Sequence, residues 1–327
     1  MNSRVPDELS LFLTDALGEG WEAERLTGDA SIRAYYRVRE ADGDHVVAAY
    51  YPPVIRPDLK RFLAAYDAIS GHTRVPPLIQ RGEFAVIQKD VGDDSLGELL
   101  RTDRNRALPF YREAVDLLVP LRGAGPEAGI VNPPFDRTKF LQELEMAREY
   151  YIGHLMDAAT PEGDRRVREI FETLIANLLD HPYILCHRDY HGHNLHVFDG
   201  DVYVIDYQDL RMGPDTYDLA SLLRDRGVAD ILGRETELEL LHRYVAAAGG
   251  GPSMEKRYYE SLLQRSIKIL GTFARQALES GRRHYLAYIP PTLESIRLCV
   301  GELGRYEDVL EIFPMDFQIS AERHALP

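Results

Sequence analysis

Cys186-His187-Arg188-Asp189-Tyr190-His191-Gly192-His193-Asn194, the pattern LHVFDGDVYVI over residues 195–205, and then Asp206-Tyr207-Gln208-Asp209 form the stretch that decides the fold. Its apolar residues fall into two short strands, Leu195 to Phe198 and Asp201 to Ile205. Asp199-Gly200 between them is hairpin-turn chemistry, because both residues tolerate positive φ. Closing that turn returns Asp206 toward Asn194. One polar loop therefore carries an acid and an amide separated by four residues, and the following ribbon delivers a second acid to it.

Upstream, apolar residues at helical spacing from Asp7 to Leu17 predict a short helix stopped by Gly18 to Gly20. Ala34 to Val38 and His45 to Tyr51 read as strands joined by the turn Ala41-Asp42-Gly43-Asp44, and Tyr51-Pro52-Pro53 breaks the second. A helix over Asp58 to Ser70 and strands over Pro76 to Gln80 and Glu83 to Gln88 follow. The polar Asp90 to Asp94 is expected to be an interlobe hinge. Beyond it the periodicity is helical over Leu108 to Leu121, Thr138 to Leu155, Pro161 to Leu179, Glu237 to Ala248, Met254 to Ser280 and Pro290 to Leu303. This order predicts an α+β chain of two lobes: a small antiparallel-sheet N-lobe at 1–89, and a larger helical C-lobe at 90–327. The cleft falls at their junction.

Phosphoryl transfer to an alcohol needs a carboxylate that orients the hydroxyl and receives its proton, and oxygen ligands for magnesium on the triphosphate. Asp189, Asn194 and Asp206 supply those functions. Singly, each has a plainer reading, since an isolated Asp is most often a turn carboxylate. Cys186, His187, His191, His193 and His196 also permit a zinc reading, but their spacing is tighter than the paired ligands of tetrahedral sites.

The run Cys186 to Asn194, with Asp206-Tyr207-Gln208-Asp209, Gly213-Pro214 and Tyr217-Asp218-Leu219-Ala220, resembles the aminoglycoside phosphotransferase and choline kinase superfamily. IDYQDLRMGPDTYDLASLLRD (205–225), GDASIRAYYRV (28–38) and KILGTFARQ (268–276) further resemble the bacterial anomeric kinases that phosphorylate N-acetylmuramic acid and N-acetylglucosamine in peptidoglycan recycling. The resemblance implies a protein-kinase-like fold that uses ATP and Mg2+ to phosphorylate a sugar hydroxyl. It makes Asp189 the catalytic base, Asn194 and Asp206 the magnesium ligands, and Asp218 a buried anchor of the catalytic loop, with His187 and Arg188 in structural support.

The resemblance also lays Gly28, Asp29, Ala30, Ser31 and Arg33 over the phosphates, and offers backbone groups of Gln88, Lys89, Asp90 and Val91 to the adenine edge. The acceptor is expected between Asp189, the loop with Asp209 and Arg211, and the helix with Glu143, Glu145, Glu149 and Tyr150. The plainer alternatives there are a solvated acidic face and core aromatics. One departure stands out: the strand His45 to Tyr50 has no Lys for the α- and β-phosphates, and the Asp58 to Ser70 helix shows no clear Glu partner for one. Arg33 is the expected substitute.

Composition sets the limits. A net charge of -15, from Asp+Glu 53 against Lys+Arg 38, opposes broad attraction to nucleic acid or an anionic membrane surface. Cys186 and Cys299 are too few and too far apart for a disulfide framework, which suits a reducing cytoplasm. The first 20 residues lack the basic leader and apolar core of a signal peptide. A cytoplasmic monomer acting on a small molecule is expected.

Overall fold

The computed structural model describes residues 5–26, 33–124 and 132–318. The chain opens with helix α1 (Asp7–Leu17) and continues through strands β1 (Glu22–Leu26), β2 (Ala34–Arg39) and β3 (His45–Tyr50), helix α2 (Arg56–Ile69), and strands β4 (Leu78–Arg81) and β5 (Ala85–Lys89). The five strands form one antiparallel sheet in the order β1-β2-β3-β5-β4.

Alternation along the strands sorts side chains between the two faces of this sheet. Tyr36, Val38, Val46, Ala48 and Ile87 pack with Leu9 and Leu13, so α1 covers the outer face. Ala49, Tyr51 and Val86 face the other way and join the large core beneath. The opening helix has the expected bounds, and the two hairpin strands begin where expected. Strand β1 was not foreseen. Its sequence, EAERL, lies at the sheet edge, where exposed charged side chains erase the apolar alternation that marks a half-buried strand.

After β5 the chain is mainly helical: α3 (Leu96–Thr102), α4 (Arg104–Leu118), α5 (Arg137–Met146) and α6 (Pro161–Leu179). Helix α5 does not run unbroken to Leu155 as the periodicity predicts. From Ala147 to Leu155 it widens to π winding. Strand β6 (Tyr183–Cys186) precedes the polar loop, and β7 (Leu195–Phe198) and β8 (Asp201–Val204) form the expected ribbon. Its turn has Asp199 at φ 52° and Gly200 at φ 82°, the paired positive angles of a two-residue hairpin. Strand β9 (Arg211–Pro214) pairs back onto β6, setting Arg211 opposite Cys186.

Helices α7 (Tyr217–Arg224), α8 (Val228–Leu232), α9 (Arg234–Ala247), α10 (Pro252–Glu279), α11 (Ile289–Leu303) and α12 (Asp308–Ile312) complete the chain. The 28-residue α10 runs through the core. Gly271 lets it approach where α5 changes winding, since a Cβ there would lie 2.4 Å from Ala147 N. Among the described residues no helix is long and apolar enough to cross a membrane.

Candidate active site

The β6 strand ends at Cys186 and releases the polar loop at His187. Buried Asp218, in the first turn of α7, accepts the His187 N–H on Oδ2 at 2.6 Å and the Arg188 N–H on Oδ1 at 2.9 Å. Arg265 of α10 donates to the Arg188 carbonyl at 2.8 Å. These bonds hold Arg188 at φ 80°, a left-handed angle that costs a non-glycine residue about 1 kcal/mol or more. His187 Nε2 bonds the Ile205 carbonyl at 2.8 Å while its Nδ1 receives the Asp189 N–H at 3.3 Å, so the ring ties the loop to the end of β8.

Past that brace the loop coils back on itself. The Asp189 carbonyl accepts the His191 N–H at 3.0 Å and Asn194 Nδ2 at 2.9 Å. The Ile205 N–H then donates to the Asn194 carbonyl at 3.0 Å, which sets Asp206 beside the loop at the open end of the ribbon. Asp206 is exposed at φ 62°, with Gln208 Nε2 donating to its Oδ1 at 2.6 Å. Asp189, Asn194 and Asp206 thus belong to one hydrogen-bonded unit. The Asp189 carboxylate itself has no hydrogen-bond partner among the described residues.

Burial opposes the charge on Asp189, but Lys268 and Arg265, with His191 and His187, outweigh it and hold the carboxyl well below the usual carboxylate range. Lys268 and Arg265 were missed from the sequence. They share one face of α10 with Ser261 and Gln264, at the three- and four-residue spacing of a helix, with Lys268 partly buried and the other three buried. Ser261 bonds Thr216 at 2.9 Å, Gln264 bonds Glu143 at 3.1 Å, and Arg265 bonds Ser221 at 2.8 Å and pairs with Asp225. The polar positions 261, 264, 265 and 268, flanked by Leu262, Leu263 and Ile267, were the signal that could have found them.

On the N-lobe side Arg33 lies over the rings of Tyr35 and Tyr51, at 5.1 and 5.5 Å, and donates to the Tyr51 hydroxyl at 3.0 Å. Burial works against its charge, and Tyr35, Tyr51 and Asp206 more than offset that, leaving its pKa raised. It lines a cavity of about 250 Å³ with Tyr51, Asp58, Arg61, Gln208 and Asp209. Asp58, on α2, faces the same cavity. Gly28, Asp29, Ala30 and Ser31 lie outside the described residues.

At the end of β5 the Lys89 N–H is spent on the Pro77 carbonyl at 2.9 Å, so it is not open to an adenine edge as expected. The Lys89 ammonium instead sits over Phe198 and Tyr203. Gln88 is paired within the sheet, opposite Val47 and Leu78. The Asp90 carboxylate takes Arg37 at 2.6 Å and the Gly92 N–H at 2.9 Å. No backbone bond among the described residues engages the main chain of Asp90 or Val91.

The expected acceptor residues divide. Glu143, buried on α5, accepts Arg188 Nη2 at 3.1 Å, and Asp209 lies 3.9 Å from Arg188 Nη1. Arg211 and Arg188 both lie over the Phe135 ring, at 5.3 and 5.6 Å. These residues gather around Arg188, the neighbour of Asp189 in the loop. Glu145, Glu149 and Tyr150 do not. Glu145 turns to Arg148 and Arg168, Glu149 is exposed, and the Tyr150 hydroxyl bonds Glu279 at 2.7 Å. Glu279 is eleven residues beyond Lys268, about 16 Å along α10. Two residues on, the helix face has rotated away from Glu143, and helical periodicity alone could not say which face meets the cleft.

The zinc alternative finds no geometry. His187 and His196 are bonded to backbone carbonyls, and Cys186 Sγ lies against the Ile184 and Pro214 carbonyls. No group of three or more His, Cys, Asp or Glu able to hold a metal occurs among the described residues.

Comparison with known proteins agrees with this architecture. The N-acetylmuramate/N-acetylglucosamine kinase of Neisseria meningitidis serogroup B is 30% identical over 285 residues, 82% of this chain and 83% of that protein. The enzyme of the same name from Pseudomonas aeruginosa is 27% identical over 332 residues, 96% of this chain and 95% of its own. Among solved structures, Plasmodium vivax ethanolamine kinase superposes with a TM-score of 0.61 at 13% identity, covering 91% of this chain and 92% of that one. The ADP-bound aminoglycoside phosphotransferase APH(2'')-Ib gives 0.60 at 14% identity, with coverage of 90% and 99%. At such identities these structures speak for the fold alone, which is the two-lobed protein-kinase-like one. Residues 22–260, which span both the sheet and the polar loop, match the phosphotransferase enzyme family (APH), and the chain belongs to that family.

Proposed function

We propose that this protein transfers the γ-phosphoryl group of ATP to the anomeric hydroxyl of N-acetylmuramate, N-acetylglucosamine or both. We assign it to the cytoplasm as a monomer in peptidoglycan recycling, with no nucleic-acid or membrane partner. The lobes are taken as 1–89, which covers the nucleotide, and 90–327, which carries the chemistry. The reading rests on the Asp189 carboxylate, kept ionised by Lys268 and Arg265, unspent on any hydrogen bond among the described residues, and held in one unit with Asn194 and the turn into Asp206.

The donor set suits magnesium. The Asn194 amide nitrogen is committed to the Asp189 carbonyl, which leaves the Asn194 side-chain oxygen as the ligand, and Asp206 is exposed. Both offer the hard oxygen that this ion takes. Bound there, magnesium neutralises triphosphate charge. Asp189 accepts the proton of the sugar hydroxyl and aligns its oxygen for in-line attack. Arg33 answers the phosphates in place of a strand lysine, and the main chain of Asp90 and Val91 meets the adenine edge. The names of the relatives and this loop support the same acceptor class.

Incubation with Mg-ATP and N-acetylmuramate, N-acetylglucosamine, choline or an aminoglycoside, with ADP release as the readout, tests the reading. The two amino sugars should stimulate release. Stimulation by choline or the aminoglycoside alone would overturn it, and ATP binding with no release across the whole panel would mark a pseudokinase.

A further inference from the structure

Four cations, Lys139, Arg188, Arg211 and Lys268, act on the buried carboxylate of Glu143. Lys139 and Arg188 contact Glu143 at 3.5 and 3.1 Å, and Lys139 is also within electrostatic reach of Arg211 and Lys268. The cluster draws on α5, the catalytic loop, β9 and α10, so tertiary packing assembles it. With the base Asp189 set aside, Glu143 and the half-exposed Asp209 leave the cations in excess. Neither Arg211 nor Lys268 forms an ion pair among the described residues. The Nε atoms of Arg188 and Arg211 and the Tyr217 hydroxyl are buried without a hydrogen-bond partner there. Buried donors left unpaired are costly, and a ligand that pairs them is favoured.

This concentration of positive charge is local, in a chain of net charge -15. Burial and the neighbouring Arg188 push the Arg211 pKa down, and burial with crowding by Arg188, Arg211 and Lys268 does the same to Lys139 despite Glu143. Against burial, Lys268 is instead held as a cation by Tyr217, Glu143 and Asp189, and like charges crowded together gain from an incoming anion. Arg211 and Lys268 are only partly buried, which leaves the anion a way in.

The two amino sugars named above differ in charge. N-acetylmuramate carries a lactyl ether ending in a carboxylate, whereas N-acetylglucosamine has a neutral hydroxyl at that position. We propose that Arg211 and Lys268, backed by Lys139 and Arg188, form an acceptor subsite for that carboxylate, so that this protein favours the acidic amino sugar over the neutral one. The inference rests on the function proposed above and adds to it the group that sets acceptor preference.

The experiment compares kcat/KM for N-acetylmuramate, its methyl ester and N-acetylglucosamine, in the unaltered protein and in Lys268→Met, Arg211→Met and Lys268→Arg. Lys268 also keeps Asp189 ionised, so the acid-to-neutral preference ratio is read instead of the absolute rate. That ratio should fall about 10- to 100-fold in each Met variant, mostly through KM for the acid, the range expected for losing a charge-assisted bond. Lys268→Arg should restore much of it, and the unaltered protein should treat the methyl ester like the neutral sugar. Equal losses on both acceptors would assign the cluster to the transferring phosphoryl group, and an ester handled as well as the free acid would show that charge is not read. Either result overturns the subsite while the kinase reading stands. If the unaltered protein phosphorylates neither sugar, the kinase reading fails and the subsite fails with it. The ester arm needs no variant to fold.

Discussion

Asp218 receives the His187 N–H at 2.6 Å on one carboxylate oxygen and has the next N–H, from Arg188, at 2.9 Å on the other. One side chain thereby fixes two consecutive peptide planes, of which the second belongs to a residue at φ 80°. Burial raises the Asp218 pKa, against the nearby His187 and the two N–H bonds, so the carboxylate is kept where it is costly. Asp218→Asn replaces one acceptor oxygen with an amide that faces a backbone donor. It should lower stability by about 2 to 4 kcal/mol in urea unfolding and cut turnover, with ATP affinity less affected. Unchanged stability would mean that the loop does not depend on this anchor.

The ionisation of Asp189 gives a second prediction. A carboxyl held below its usual range stays deprotonated as pH falls to about 5, so the acid limb of the kcat profile should lie below the usual carboxylate range. Lys268 is the strongest of the groups that lower it. In Lys268→Met the Asp189 pKa should rise and carry the acid limb to higher pH, while Lys268→Arg should leave it nearly in place. An acid limb that does not move between the unaltered protein and Lys268→Met would separate Asp189 from the rate-limiting proton transfer.

Local signals made part of this legible. Asp199-Gly200 encodes the ribbon because its turn needs two positive φ angles, and that turn alone brings the end of β8 back to Asn194. The cation side of the site was hidden for a different reason. Arg265 and Lys268 lie about 75 residues after the catalytic loop, on a helix whose polar positions look the same from sequence whether they face water or a buried carboxylate. Tertiary packing decides between the two: Gly271 lets α10 close on α5, and Ser221 and Asp225 meet Arg265. Glu143 and Glu145 show the same limit on a small scale, since one is buried at Arg188 and the other bonds Arg148.

Gly271 carries a structural prediction. A methyl group there would meet Ala147 N and Met146 C at 2.4 Å, and both are backbone atoms that cannot turn aside. Gly271→Ala gains about 1 kcal/mol of helix propensity but should lose more to overpacking, a net destabilisation of about 2 kcal/mol. Gly301, in α11 with nothing within 4 Å of its added Cβ, is the internal control. Gly301→Ala should stabilise by up to about 1 kcal/mol. Opposite signs in denaturant unfolding confirm the close approach, and a stabilising Gly271→Ala would refute it.

Arg33 gives the nucleotide prediction. It is stacked on Tyr35 and Tyr51 and faces the cavity shared with Asp58, and the proposed function gives it the phosphate contact of the missing strand lysine. Arg33→Ala should raise KM for ATP about tenfold or more and lower kcat, whereas Arg33→Lys should recover part of both. A KM for ATP within twofold of the unaltered protein would place the phosphate contact elsewhere.

Transfer of the phosphoryl group to the anomeric oxygen, with Asp189 as the base, is read most directly from N-acetylglucosamine or N-acetylmuramate labelled with carbon-13 at the anomeric position. After incubation with Mg-ATP, the NMR signal of the labelled carbon should split by coupling to phosphorus, and Asp189→Asn should reduce that product by about a hundredfold or more while still binding ATP. An unsplit anomeric signal beside a phosphorylated sugar, or undiminished product from Asp189→Asn, would contradict the account.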